Sequence, residues 1–198
     1  MSAKPTPKAE ATREKLLKAA AKIVGDLGYE KASVAKIAEE AGIASGGVYY
    51  YYKSRRQIFD ELLPYLGRKM VSFVAERVKH LPWGIEHEVE AFRAYLDFLA
   101  LNPEFYRIFS EAQVYAPEAY RTNFMATLAD FEIALNVQRQ KGFLNVEEDD
   151  LPVVTYFLTG IRNYVSQLYI DGSDLTEFSI DRAVRVYRKL LVDGLFNA

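Results

Sequence analysis

Residues 42–53 read Gly42-Ile43-Ala44-Ser45-Gly46-Gly47-Val48-Tyr49-Tyr50-Tyr51-Tyr52-Lys53, a glycine turn running into a short tyrosine-rich segment. The spacing of Val48, Tyr51 and Tyr52 predicts a helix capped by Ser45. Just upstream, Ser33 is placed to cap another short helix, Val34 to Ala41, with Val34, Ile37, Ala38 and Ala41 on its inner face. Two short helices meeting across a tight turn make a helix-turn-helix. Ala38 is small where the helices come closest, Gly42 supplies the positive φ of the turn, and Ile37, Ile43, Val48 and Tyr51 point inward. An ordinary pair of core helices shares that pattern, and the glycines separate the two readings. Gly46 and Gly47 each cost about 1 kcal/mol of helix propensity relative to alanine, which a segment selected for stability alone would avoid. At the start of a helix they leave the backbone open to base edges or phosphates, at the end that favours an anion.

Working outward, Tyr49 and Tyr50 offer hydroxyls to phosphates and ring faces to thymine methyls, followed by Lys53, Ser54 and Arg55. Ser54 and Gln57 are spaced as a capping box for a fourth helix. Upstream, Leu16, Leu17, Ala20, Ile23, Val24 and Leu27 predict an amphipathic helix over 11–27, with Thr12 as its cap and Gly28 at its end. Residues 1–56 hold eleven Lys/Arg against six Asp/Glu, and the remainder fourteen against twenty-one, so one end is basic and the other acidic. That asymmetry suits a first quarter that meets a polyanion.

With these residues in view, Thr12 to Phe59 resembles the DNA-binding domain of the tetracycline-repressor (TetR) family. The shared pattern is a helix ending in Gly28-Tyr29, then Ile37-Ala38 through Ala41-Gly42-Ile43, then a helix ending in Val48-Tyr49 through Lys53-Ser54. The resemblance implies that Ala44, Ser45, Gly46, Gly47, Tyr49 and Tyr50 face the major groove or its phosphates, while Lys53 and Ser33 hold the DNA backbone; Arg55, just beyond, is a further candidate DNA-binding residue. The family often has Thr or Ser at the Gly47 position and Lys or Arg at the Ser45 position, so the bound sequence does not carry over from relatives. The resemblance also implies homodimerisation, an effector pocket in the second domain, and repression relieved by a small molecule.

The rest of the chain is helical in pattern, giving an all-α protein: a flexible basic tail over 1–10, a helix-turn-helix domain over 11–53, and a larger effector-binding and dimerisation domain over 54–198. The fourth helix is predicted over 54–79 with Pro64 either kinking it or breaking it near Leu63. Further helices are predicted over 85–101, from Asn102-Pro103-Glu104 onward, over 116–141, over 151–170 and over 180–196. The last two are apolar enough to form a four-helix interface with a second copy. Within this region Tyr95, Phe98, Phe109, Phe124, Phe131 and Phe157 are candidate pocket aromatics, and Gln113, Arg162 and Asn163 candidate polar anchors for a hydrophobic or aromatic ligand.

Half of the 198 residues are apolar, enough to bury a core without cross-links, and cysteine is absent, which excludes disulfides and thiol chemistry. The sequence has no phosphate loop and no Gly-x-Ser-x-Gly elbow, so no catalytic residue is expected. His80 and His87 are too few for a metal site, and the acids of residues 147–150 read as helix-start residues rather than ligands. No cofactor, no membrane span and a cytoplasmic location are expected. A helical ligand-binding or scaffold protein with a merely solvated basic end is the rival reading, and residues 46–53 discriminate between the two.

Overall fold

The computed structural model describes residues 6–167 and 179–193. Among the described residues the chain forms α1 (Pro7–Lys31), α2 (Val34–Glu40), α3 (Ser45–Tyr51), α4 (Arg55–Val78), α5 (Ile85–Leu101), α6 (Glu104–Tyr115), α7 (Pro117–Gln140), α8 (Leu151–Gln167) and α9 (Ile180–Asp193). No strand occurs among them, and no described helix is long and apolar enough to cross a membrane.

Two compact units emerge. One takes the chain up to Gly67 together with Glu104–Asn123; the other takes Arg68–Pro103 and the chain from Phe124 on. The cut expected at residue 54 is therefore corrected: the first half of α4, all of α6 and the start of α7 pack with the helix-turn-helix. A linear reading cannot see this, because α6 and α1 are brought together by packing and not by sequence proximity.

In the first unit, α1 starts at Pro7, with Thr6 as its cap accepting from the Ala9 amide at 3.3 Å. Residues 7–10 are thus helical, and Thr12 is an interior residue whose hydroxyl donates to the Lys8 carbonyl at 2.9 Å. The proline at the first helical position needs no amide partner, which explains the earlier start. Gly28, at φ 81°, interrupts the helix and turns the fully buried Tyr29 into the core. Tyr29 packs edge-on to Phe59 at 4.7 Å and flat on Tyr115 at 5.8 Å. Its amide donates to Glu111 at 2.8 Å, and Arg107 donates to the carbonyls of Gly25 and Asp26 at 3.1 Å, so α6 grips the end of α1. Leu16, Val24, Ile37, Val48, Ile58, Leu62 and Ile108 fill the centre with no exposure. Each such burial is worth about 1.5–3 kcal/mol.

Helix α4 continues through Pro64 without a break, resolving the two readings left open by the sequence. Asn102, expected to start the next helix, instead closes α5 by donating its side-chain amide to the Phe98 carbonyl at 2.8 Å.

In the second unit, α5 supplies the central face through Phe92 and Leu96, joined by Leu135, Leu151, Leu158, Val184 and Tyr187. A 3-10 turn, Glu148–Asp150, leads into α8, and Glu148 pairs with Arg139 at 3.0 Å. The expected ends of the last two helices, at Ile170 and Phe196, lie outside the described residues.

Candidate functional site

The link between α2 and α3 is built from backbone hydrogen bonds. Gly42 takes φ 59°, and the Ile43 amide reaches back to the Ala38 carbonyl at 2.9 Å, a glycine-terminated helix end that reverses the chain in three residues. The Ser33 hydroxyl accepts from the Lys36 amide at 3.3 Å, the cap its position predicts. The expected cap of α3 is corrected: Ala44 occupies the cap position, Ser45 is the first helical residue, and no side chain satisfies the first amides. The Gly47 amide bonds back to the Ala44 carbonyl at 2.7 Å, and the Ser45 and Gly46 amides ahead of it have no side-chain cap.

Helix α3 has two distinct sides. Val48 is buried completely, whereas Tyr49 is 49% exposed and Tyr50 78%. Ala44, Ser45 and Gly46 are exposed as well. The inner anchor at the helix end is Tyr52, which has no exposure, while Tyr51, expected to point inward, is only half-buried and stands edge-on to Tyr50 at 5.1 Å. The two neighbouring glycines differ in their reason for being there. A Cβ on Gly47 would come 3.2 Å from Ile43, whereas one on Gly46 would meet nothing within 4 Å. Packing inside the protein accounts for Gly47 and does not account for Gly46.

Lys53 folds back so that its ammonium donates to the Tyr49 carbonyl at 3.3 Å, and its amide donates to Gln57 at 2.8 Å. The Gln57 amide in turn donates to Ser54 at 3.2 Å, so the capping pair forms with the glutamine reaching one residue further than expected. Arg55, though exposed, is engaged by the protein: it donates to the carbonyls of Glu30 and Ala32, at 3.2 and 3.4 Å, and lies over the Phe59 ring. Its position beside the candidate DNA face is thus a brace between α4 and the end of α1.

Sequence reasoning missed Arg13 and Glu61. Arg13 donates to the Tyr51 carbonyl at 2.9 Å, pairs with the Glu61 carboxylate, and lies 4.5 Å over the ring of Tyr52. The Tyr52 hydroxyl donates to the same carboxylate at 3.2 Å. Burial, reinforced by the Glu61 charge, pushes the Tyr52 phenol well above its ordinary range. Burial pulls the Arg13 guanidinium down, but Glu61 and Tyr52 outweigh it and the net direction is up. The available signal was register: residues 13, 16, 17 and 20 share one stripe of α1, so an arginine there faces the neighbouring helices.

The nine expected ligand residues are divided between the two units. Phe109 and Gln113 belong to the first unit, where Phe109 packs on Tyr120 at 5.1 Å and Gln113 is exposed. Phe157 is 68% exposed, on the outer side of α8, and Phe124 lies near Tyr156 at 6.4 Å. Tyr95 and Phe98 are buried on α5, and Asn163 uses its carbonyl to accept from Ser166. Arg162 and Phe131 do meet, with the guanidinium 3.9 Å over the ring. Around them the structure adds Glu88, which accepts from Arg162 and from the Tyr187 hydroxyl at 2.7 Å each, and the rings of Phe92 and Tyr187. Burial works against the Arg162 charge, but Glu88 and Tyr187 hold its pKa up. Beside this cluster, between α5, α8 and α9, is a half-open apolar pocket of about 160 Å³.

Three comparisons bear on identity. The model of the bacterial regulatory proteins of the tetR family matches residues 16–62. The HTH-type transcriptional regulator YvdT of Bacillus subtilis is 31% identical over 86 residues, which span 43% of this chain and 40% of that relative. Among solved structures, the fatty acid degradation regulator FadR from Bacillus halodurans superposes with a TM-score of 0.80 at 18% identity, covering 98% of this chain and all of that one. FadR from Bacillus subtilis, solved in complex with stearoyl-CoA, gives 0.79 at 18%, covering 92% of this chain and 99% of that one. The helix-turn-helix geometry and the match laid over it agree: over residues 16–62 the chain is similar to the bacterial regulatory proteins of the tetR family, and its all-helical fold is shared with the solved regulators.

Proposed function

We propose that the chain is a homodimeric DNA-binding transcriptional regulator: a cytoplasmic repressor that reads a palindromic operator through α3 and leaves it when a hydrophobic or aromatic small molecule binds the second unit. The observation that carries this reading is the two-sided character of α3, with Val48 and Tyr52 at no exposure and Tyr49 and Tyr50 at 49% and 78%. A scaffold helix has no reason to hold two tyrosines in solvent beside a glycine that its own packing does not require.

Dimerisation is supported by α8, where Val153, Tyr156, Phe157 and Tyr164 are each at least half exposed along one side, with Gly160 open among them. A second copy covers that row and sets two α3 helices on one duplex. The relative fold solved with stearoyl-CoA makes long-chain acyl compounds the first effectors to assay on this chain.

Selection of bound duplexes from a random pool tests DNA binding, symmetry and half-site spacing together. On the selected operator, Tyr49→Ala and Lys53→Ala weaken binding about tenfold with the fold intact, and the lysine change lowers the salt slope by about one unit. If both variants bind like the parent, α3 is not the reading element and the scaffold reading takes its place.

A further inference from the structure

Arg162 is the least settled charge in the second unit. One of its terminal nitrogens donates to Glu88 at 2.7 Å, while the other, Nη1, is out of solvent and makes no hydrogen bond among the described residues. The Phe131 ring, 3.9 Å from the guanidinium carbon, does not remedy this. A ring face attracts the cation from above its plane, whereas the Nη1 hydrogens lie in the plane and call for an oxygen there. A buried donor left in this state is costly, more so in a charged group.

Charge decides which oxygen fits. Glu88, 6% exposed, already neutralises Arg162 and also accepts a hydrogen bond from the Tyr187 hydroxyl. A carboxylate arriving at Nη1 would leave a net negative charge in a frame of Phe92, Phe131 and Tyr187 rings, which burial penalises heavily. A neutral carbonyl satisfies the donor and adds no charge. Space for the rest of such a molecule lies alongside: Phe92 and Tyr187, each 5.9 Å from the guanidinium carbon, also line the apolar pocket of about 160 Å³ with Ile161, Val165 and Ala183. A dry cavity of about 150 Å³ takes benzene, so this one accepts about six carbons.

We propose that Arg162 Nη1 anchors the neutral carbonyl oxygen of an apolar small molecule whose tail lies in the pocket between α5, α8 and α9. Arg162 does not itself line the pocket; the Phe92 and Tyr187 rings border both. The proposal rests on the reading of the second unit as effector-binding and narrows its ligand to esters, thioesters, amides and ketones rather than free acids.

The test uses the full chain and three probes built on a hexyl tail or its hydrocarbon equivalent: 2-octanone, heptanoate and n-octane. Binding is measured by calorimetry, or by headspace partition for the hydrocarbon. 2-Octanone binds about tenfold more tightly than n-octane, the advantage of one hydrogen bond to a charged donor, and about tenfold more tightly than heptanoate, whose carboxylate carries the penalty of a buried uncompensated charge. Its carbon-13-labelled carbonyl stretch moves to lower frequency on binding. The paired variant E88Q/R162M avoids stranding one buried charge, and circular dichroism with operator binding checks that it folds. In it the ketone loses its advantage and its frequency shift, while n-octane binds as before. Equal binding of ketone and hydrocarbon to the parent overturns the anchor and leaves the effector-binding unit standing. Tightest binding by heptanoate, lost in the variant, overturns the neutral ligand class. A ketone preference that survives in the variant places the carbonyl elsewhere and overturns the role of Arg162. Failure of all three probes removes both the anchor and the reading of this pocket as an effector site.

Discussion

Replacing Arg13 with alanine removes three contacts at once: the hydrogen bond to the Tyr51 carbonyl at 2.9 Å, the pair with Glu61, and the stacking 4.5 Å over Tyr52. The side chains of Arg13 and Glu61 are 31% and 38% exposed, so solvent screens their attraction and the pair contributes about 0.5 kcal/mol. The hydrogen bond from a charged donor to the end of α3 is worth about 1.5 kcal/mol at this exposure, and the ring contact about 0.5 kcal/mol. These terms overlap, and the expected loss is about 2 kcal/mol in urea denaturation of the variant. DNA binding falls for a different reason than loss of a phosphate contact. If the untethered end of α3 is docked a tenth of the time, the apparent Kd rises about tenfold. Because no phosphate contact is lost, the slope of log K against log salt stays that of the parent. Arg13→Lys restores part of both effects, since an ammonium reaches one of the three partners. A Glu61→Gln cycle with Arg13→Met isolates the pair itself. A slope shallower by about one unit would show that Arg13 touches DNA directly and sink the positioning role. Unchanged stability and affinity would show that the clamp does nothing.

Gly46→Ala should raise helix stability by about 0.5–1 kcal/mol, since its Cβ meets nothing within 4 Å, yet weaken operator binding about tenfold by holding the backbone off the duplex. Opposite signs in melting and in gel-shift titration are the expected result, and a stabilised variant with parental affinity refutes close backbone approach at that residue. Gly25→Ala places a Cβ 2.3 Å from that of Glu104 and 3.2 Å from its Cα, so α6 must leave the end of α1; the cost is about 3 kcal/mol, read as a lower urea midpoint. His87, stacked on Trp83 at 4.3 Å, has its pKa lowered below the ordinary 6.5, chiefly by burial and against the opposing pull of Glu88. The unfolded chain therefore takes up this proton more readily. The stability contributed by neutral His87 is complete above about pH 6.5 and declines as pH falls from there toward the folded-state value. His87→Gln should flatten the pH dependence of the urea midpoint below pH 6.5, and a dependence identical to the parent's would clear His87 of any part in it.

What the sequence disclosed, it disclosed through short spacings. The α2–α3 turn is defined by residues within ten positions of one another, and its determinants are local: a hydroxyl at the Ser33 cap and a glycine at φ 59° between Ala38 and Ile43. Periodicity located nearly every helix for the same reason. It misplaced the start of α1 because Thr6 and Thr12 are chemically equivalent caps and only the proline after Thr6 separates them. It assigned Tyr51 inward because alternate faces of a seven-residue helix differ by little in register, and Tyr52, just past the helix end, took the buried place.

The second unit was less legible because its polar centre is assembled across long separations. Arg162 is 74 residues from Glu88, and Glu88 is 99 from Tyr187. Nothing local marks Glu88: it stands in the first turn of α5 between two other charged positions, where a carboxylate usually reads as a solvated helix start. Aromatic content was equally undiscriminating, since Phe131 and Phe157 look alike in sequence yet one covers a guanidinium and the other is 68% exposed on α8. Binding DNA requires an exposed face on a rigid local motif, and such a motif can be written in a dozen residues. The ligand anchor proposed for Arg162 needs a buried donor held beside a distant carboxylate, and that arrangement exists only once α5, α8 and α9 have packed.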